Sequence, residues 1–260
     1  MRAVALHHES LGPVDGPPLL LGGSLGTTLA MWEPQVKTLS GRLRMIPFDH
    51  RGHGASPMPA APYTIAELGH DVIALMDRLK LERVSYCGLS IGGMVGQWLA
   101  GNHPARIDKL ILIATTAYLG EPERWLERAA TVRAAGTVEV IADLVVSRWF
   151  TPAWATTHGH TVRAYREMLA ATPVEGYAGC CAAIAELDLR DELERITAPT
   201  LVISGAEDPS IPPPHQQAIA DAVADARLET IADAAHLPSV QHPALVNQLI
   251  FDHLGLLRTP

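Results

Sequence analysis

Three side chains can do the chemistry that this sequence offers: Ser90, Asp208 and His236. Ser90 sits in Gly88-Leu89-Ser90-Ile91-Gly92, a G-x-S-x-G run preceded by a short apolar, β-favouring stretch and followed by a helical-looking one. Glycines two before and two after a serine suit a turn from strand to helix so sharp that a side chain at either flank would collide with it. Such a turn strains the serine backbone and lifts its hydroxyl clear of a sheet. The helix N-terminus behind it has free N–H groups and a dipole that favour negative charge. An alkoxide, and then an oxyanion, can form there.

A serine hydroxyl is a weak nucleophile until a base takes its proton. Histidine side chains titrate near neutrality, so one can accept that proton and return it to the leaving group; His236 is the expected base. A carboxylate must hold the imidazole in one tautomer and steady the imidazolium, the role expected of Asp208. Glu207 is the rival acid, adjacent but pointing elsewhere on an extended loop. The oxyanion needs two backbone donors. Ile91 N–H, directly after the nucleophile, is one; the other comes from Ser24 or Leu25, with Leu25 preferred. Nucleophile, acid and histidine follow one another in one of the chain orders known for such triads.

The elements that must position these groups follow from the apolar pattern. Short strands are expected over residues 17–21, 43–48, 84–87, 110–114, 200–205 and 227–231. Helices are expected over 32–40, 63–79, 94–102, 214–224 and 243–254. Within 63–79, Ile65, Leu68, Val72, Ile73, Leu75, Met76 and Leu79 form an apolar stripe at helical spacing. Alternating strands and helices imply an α/β fold with a mostly parallel central sheet covered on both faces. Residues 3–11, with Gly12-Pro13, read as a peripheral hairpin at the sheet edge. From 119 to 186 only helical periodicity appears, with breaks at Pro122, Pro152 and Pro173. That stretch is expected to be an all-helical cap over the sheet's C-terminal edge, where α/β sheets bind ligands. The expected division is a first core part over 1–118, a cap over 119–186 and a second core part over 187–260. Ser90, Asp208 and His236 then each follow a strand and can converge on one edge.

Composition excludes several function classes. The chain has 260 residues, 48% hydrophobic and 18% charged, enough for a sizeable core. Its formal net charge is -8 and no Lys/Arg-rich run of nucleic-acid type appears. No apolar run approaches a membrane span and the first residues open straight into foldable sequence, so neither a span nor a signal peptide is expected. The three cysteines, Cys87, Cys180 and Cys181, have no framework spacing and read as buried, reduced thiols of a cytoplasmic protein. Gly22-Gly23-Ser24-Leu25-Gly26 lacks both nucleotide-binding glycine fingerprints. His50 and His53, and likewise His158 and His160, have no acidic or thiol partner at ligand spacing, so no metal and no cofactor is expected. His215, His242 and His253 suit core or surface roles on helices.

The chain resembles the α/β-hydrolase superfamily, and within it the 3-oxoadipate enol-lactonases of protocatechuate and catechol breakdown. At superfamily level the resemblance rests on Phe48-Asp49-His50-Arg51-Gly52-His53-Gly54-Ala55-Ser56, the elbow, and the loops of Asp208 and His236. More specific are Ser24-Leu25-Gly26-Thr27 before Met31-Trp32, and the segments Arg148-Trp149-Phe150-Thr151, Glu175-Gly176-Tyr177 and Cys181-Ala182-Ala183-Ile184 through Asp188-Leu189-Arg190. Many superfamily members carry His-Gly before the oxyanion residue; Gly23-Ser24 stands here, as in the lactonase subgroup. The chain stops at Pro260, so the hydrolase is expected without the decarboxylase domain fused to some such lactonases.

The resemblance implies a small-molecule substrate, an enol-lactone with a free acetate group, opened through an acyl-enzyme on Ser90 to 3-oxoadipate. It implies Trp125, Arg128 and Trp149 as substrate-binding residues. Trp125 and Arg128, three apart, would share a helix face. The alternatives are a general carboxylesterase, a cofactor-free perhydrolase or haloperoxidase-like enzyme, and a slow ligand-sensing receptor of the same fold.

Overall fold

The computed structural model describes residues 3–256. Six apolar segments become strands: β1 (Pro18–Gly22), β2 (Arg44–Phe48), β3 (Val84–Leu89), β4 (Ile107–Ile113), β5 (Thr200–Gly205) and β6 (Ala226–Ile231). All pair in parallel in the order β2-β1-β3-β4-β5-β6. Leu19, Leu20, Leu21, Leu110, Ile111, Leu112, Leu201, Val202 and Ile203 are wholly buried, as strands covered on both faces require. The covering helices of the first part are α1 (Glu33–Leu39), α2 (Ile65–Arg78) and α3 (Ile91–Asn102). The segment between β4 and β5 holds α4 (Pro122–Ala135), α5 (Ala142–Val146), α6 (Pro152–Thr157), α7 (Gly159–Ala170), α8 (Val174–Ala185) and α9 (Arg190–Leu193). The last helices are α10 (Pro213–Ala222), α11 (Pro238–Gln241) and α12 (Pro243–Leu254).

The strand order places a switch point between β1 and β3. From β1 the chain runs outward to β2, then returns to β3 on the other side of β1. The loops leaving the C-terminal ends of β1 and β3 therefore diverge and leave a crevice. One is the Gly23–Gly26 turn and the other the elbow at Ser90. The register Gly22↔Gly88 puts them side by side. At the far side, Gly205↔Ile231 aligns the ends of β5 and β6, from which the Asp208 and His236 loops depart.

Helices α4 to α8 contain no strand between them and stand as one helical insertion. Its two ends meet, because Tyr118 and Asp188 form an isolated antiparallel bridge and Leu189 N–H donates to Ala117 O at 2.9 Å. The prolines expected as breaks are helix starters: Pro122 and Pro152 open α4 and α6, and Pro173 caps α8. Among the described residues no single helix is long and apolar enough to cross a membrane.

The N-terminal segment differs from the expected hairpin. His8 and Leu11 form isolated antiparallel bridges to Phe48 and Met45 of β2. Leu11 and Met45 exchange both backbone bonds, at 2.9 and 2.8 Å, and Glu9 N–H donates to Pro47 O at 3.1 Å. Pro47 has no N–H to return, so the ladder lapses at that point and the segment never becomes a regular strand. The helix expected over 32–40 also starts differently, as a 3₁₀ turn Leu29–Trp32 leading into α1.

After β2 the chain runs through Asp49–Ser56 into α2, whose first turn is closed by a reciprocal capping box between Thr64 and Glu67. Arg51 is buried against α2. Its Nε and Nη2 donate to the two oxygens of Asp71 at 2.6 and 2.8 Å, and Nη2 reaches Glu67 O at 3.2 Å. Asp71 also accepts Val4 N–H at 2.8 Å. Removing one partner of a buried pair strands the other charge. Asp71→Ala is expected to lower unfolding free energy by about 3–5 kcal/mol in urea titration. Glu33→Ala, which breaks an exposed pair with Lys37, should leave the midpoint in place.

Candidate active site

The elbow is built by backbone collision. Ser90 has φ 57° and ψ -118°, a conformation that L residues rarely adopt. A Cβ on Gly88 would strike Gly92 O, and one on Gly92 would strike Gly22 O, so neither flank tolerates a side chain. The turn is held from outside: Ser90 N–H donates to Ile113 O at 2.9 Å, and Thr115 Oγ1 donates to Ser90 O at 2.7 Å. Ser90 opens α3, and its hydroxyl faces a cavity lined also by His236, Leu25 and Met94.

Asp208 and His236 are brought together by the β5–β6 register. The Asp208 carboxylate is buried, and Oδ2 accepts from His236 Nδ1 at 2.8 Å. Its other oxygen accepts Ser210 N–H at 2.7 Å and Ile211 N–H at 3.1 Å, which fixes the plane of the carboxylate. A carboxylate accepts only, so Nδ1 carries the proton and Nε2 is left free toward the cavity side. Glu207, by contrast, is exposed, and among the described residues only its N–H is engaged, with Ala234 O at 2.9 Å. No hydrogen bond joins Ser90 Oγ to His236 among the described residues; such bonds commonly tighten only when substrate is bound.

The turn after β1 leaves one donor unused. Ser24 N–H points to Met31 Sδ at 3.3 Å, and Gly26 N–H is taken by His53 Nε2 at 3.0 Å. Leu25 N–H and Ile91 N–H have no acceptor among the described residues. Gly92 N–H donates to Gly23 O at 3.1 Å and ties this turn to the start of α3. Leu25, and not Ser24, therefore has the free donor that the oxyanion role requires.

The helical insertion roofs the cavity with Trp125, Arg128 and Trp149, all three of the side chains expected there. Arg128 lies over the Trp125 ring at 4.6 Å, as their spacing on α4 implied. Arg133, on the same helix, is turned outward and forms a two-toothed pair with Glu175 at 2.9 and 3.0 Å. It does not line the cavity.

Sequence reasoning gave no role to two lining residues, Arg148 and Tyr177. Arg148 precedes Trp149 in a segment already singled out, which was the available signal. Tyr177 Oη is buried, with no hydrogen-bond partner within 3.5 Å among the described residues, and Arg128 is the cation near it. Burial, and then Cys181, push its hydroxyl above the usual tyrosine range while Arg128 opposes them, so it remains a proton donor. Burial, Arg124 and Arg128 hold Arg148 below the usual arginine range. Arg124 has Glu121 as partner at 2.9 Å; Arg128 and Arg148 have no carboxylate partner among the described residues. The cavity thus combines a serine hydroxyl, an oriented imidazole, and, among the described residues, two N–H groups without acceptors and two cations without a carboxylate partner. That set can transfer an acyl group from an anionic ester. No cluster of three or more metal-ligating side chains occurs among the described residues.

Residues 17–243 match the profile of the α/β-hydrolase fold family. The chain belongs to that family. It is 40% identical to 3-oxoadipate enol-lactonase 2 of Acinetobacter baylyi, across 95% of this chain and 92% of that one. Among solved structures, the enol-lactonase of Burkholderia xenovorans superposes with a TM-score of 0.94 at 39% identity, covering 97% of each chain. A thermophilic esterase from Thermogutta terrifontis gives 0.92 at 30% identity, over 98% of this chain and 95% of that one. The hydrolase described here is a carboxylic ester hydrolase, and enol-lactonases are among its relatives.

Two histidines beside the cavity set an acid limit on stability. His50 and His53 are buried. Burial first, and then His53, push His50 down to about 3, and burial lowers His53 as well. Both are therefore neutral in the folded hydrolase, while the unfolded chain takes up a proton on each near the ordinary histidine value. Their contribution is complete above that value and is lost as pH falls below it toward the folded values. Stability measured by urea titration should be level above about pH 7 and fall between pH 6 and 5. His50→Gln removes one such group and should reduce that slope by up to about 1.4 kcal/mol per pH unit. An unchanged slope would mean that His50 takes up no proton on unfolding.

Proposed function

We propose that this hydrolase opens the ring of 3-oxoadipate enol-lactone to give 3-oxoadipate, through an acyl-enzyme on Ser90. The observation that carries the reading is the cavity itself, where Ser90 and the Asp208–His236 pair lie beneath Arg128 and Arg148, which have no carboxylate partner among the described residues. A small lactone with one acetate group offers an ester to the first and a carboxylate to the second. Identity of 40% to an enol-lactonase supports the same substrate class.

Ser90 Oγ attacks the lactone carbonyl carbon as His236 Nε2 takes its proton. The carbonyl oxygen becomes an oxyanion between Leu25 N–H and Ile91 N–H. The ring C–O bond then breaks, and the enol oxygen leaves with the proton held by His236 and ketonises. Water, deprotonated by His236, attacks the acyl-enzyme, and 3-oxoadipate departs as Ser90 regains its proton. Arg128, beside Trp125 and Trp149, holds the acetate carboxylate in a site where water is sparse and an ion pair is weakly screened. Residues 119–186 act as the cap, and the reaction belongs to aromatic-ring breakdown in the cytoplasm.

Direct ultraviolet monitoring of enol-lactone disappearance tests the reading. Ser90→Ala should lose at least about 10³-fold in kcat with the fold intact; residual turnover within tenfold would remove Ser90 as nucleophile. Asp208→Asn should lose roughly 10⁴-fold in kcat by leaving His236 in the wrong tautomer, and Glu207→Gln should lose little. Arg128→Met should lower kcat/KM for the enol-lactone by about 10- to 1,000-fold and that for an uncharged aryl acetate by less than about threefold. Equal losses on both would make Arg128 a packing residue.

The likeness to an esterase at 30% identity favours one second reading, a general carboxylesterase. It would keep the same three residues and turn over aryl esters better than the enol-lactone.

A further inference from the structure

The turn carrying Leu25 is not itself a helix or strand, and besides the bond from Gly92 N–H to Gly23 O it is held from one neighbouring loop. Three bonds from that loop, residues 49–56, grip the turn and the residues after it. His50 Nε2 contacts Gly23 O at 3.1 Å, Gly26 N–H donates to His53 Nε2 at 3.0 Å, and Leu29 N–H donates to Asp49 Oδ1 at 2.7 Å. The first two bracket Leu25, two residues before it and one after. Their polarities are opposite, because a carbonyl can only accept and an N–H can only donate. His50 must therefore carry its proton on Nε2, and His53 must leave Nε2 bare. The second ring completes the assignment: His53 Nδ1 then bears the proton and donates to Arg51 O at 3.2 Å.

We propose that His50 and His53 are positioning residues for the oxyanion site, a pair of neutral imidazoles of opposite tautomer that fix Leu25 N–H toward Ser90. The proposal rests on Ser90 as nucleophile and Leu25 as oxyanion donor. The gripping loop is itself rigid. Asp49 Oδ2 accepts Ala55 N–H at 3.0 Å, Ser56 Oγ donates to Asp49 O at 2.7 Å, and Arg51 is locked to Asp71. On its other side Gly52 lies directly against Gly176 of α8, too close for a Cβ on either. The loop thus joins the helical roof to the oxyanion turn. An oxyanion donor acts only if it already stands where charge develops, and a donor free to swing loses most of its effect.

Amide side chains separate the two ring nitrogens of His53. Glutamine places its oxygen where Nε2 stood and can still accept Gly26 N–H. Asparagine places its amide nitrogen where Nδ1 stood, so it keeps the bond to Arg51 O and releases Gly26. Assayed on an uncharged aryl acetate, His53→Gln should stay within about threefold of the parent, and His53→Asn should lose roughly 10- to 300-fold in kcat with KM within about threefold. His50→Gln and His50→Asn should split the same way, since only glutamine can reach Gly23 O. A boronic acid, which forms a tetrahedral anion on the nucleophile, should bind the asparagine variants weaker by a similar factor.

Should His53→Asn fail to fold, as judged by its melting curve, the His50 pair decides. Asparagine variants that match the glutamine ones in kcat overturn the proposal, as does a fall in KM affinity with kcat unchanged. Failure of the underlying reading gives a different result: Ser90→Ala would retain aryl acetate turnover. Failure of the enol-lactone assignment would leave the aryl acetate comparison untouched.

Discussion

The structure depends on one strained residue. Ser90 is held at positive φ because Gly88 and Gly92 let the end of β3, the start of α3 and the end of β1 approach within backbone contact. Strain of this kind costs on the order of 1–3 kcal/mol and persists only where the surroundings leave no alternative. Here those surroundings are the sheet's own interior. Ser90 N–H is satisfied by Ile113 at the end of β4, its carbonyl by Thr115, and Gly92 N–H by Gly23 after β1. Relaxing the serine would break bonds to both flanking strands at once. Ser90 is thereby fixed to the sheet interior, while its side chain lines the cavity.

The other groups reach the cavity by different routes, and this governs how visible each was. Asp208 and His236 follow from strand order and register alone; two parallel neighbours ending together must put their loops together. That information is local, so Thr200–Gly205 followed by Asp208, and Ala226–Ile231 followed by His236, could be read from the chain. The choice of Asp208 over Glu207 needed only the geometry of a turn leaving a strand. The loop after β1 was legible as the neighbour of the elbow, but the register Gly22↔Gly88 that sets Leu25 beside Ser90 was not.

The roof was less legible for a physical reason. Tyr177 faces the same cavity as Trp125 and Arg128 because α4 packs against α8, some forty residues later in the chain, and Arg148 reaches it from the turn between α5 and α6. Helical periodicity says which face of a helix is apolar, not which neighbour meets it. The same limit applies to His50 and His53. As a sequence they read as loop packing, and burial agrees; what the pattern could not carry is that each ring meets the backbone of a turn about twenty-seven residues away. The N-terminal segment failed differently. Its alternation was real, but Pro47 on the opposing strand, not the segment itself, decides whether a ladder can form.

Electrostatics finally separates the cavity from the molecule around it. The chain carries a net charge of -8, which would disfavour an anionic ligand if only the total mattered. At physiological ionic strength, exposed charges beyond about 8 Å are largely screened. The charged side chains lining the cavity are Arg128 and Arg148, neither with a carboxylate partner among the described residues, and Arg124 with Glu121. Their mutual repulsion shows in Arg148, whose basicity is lowered by burial and by both neighbouring arginines. On the proposed reading, a carboxylate entering beneath the roof would relieve that repulsion as it binds, whereas an uncharged ester would meet Ser90 without that gain. Discrimination between the two would then reside in the roof, and the chemistry in the sheet edge beneath it.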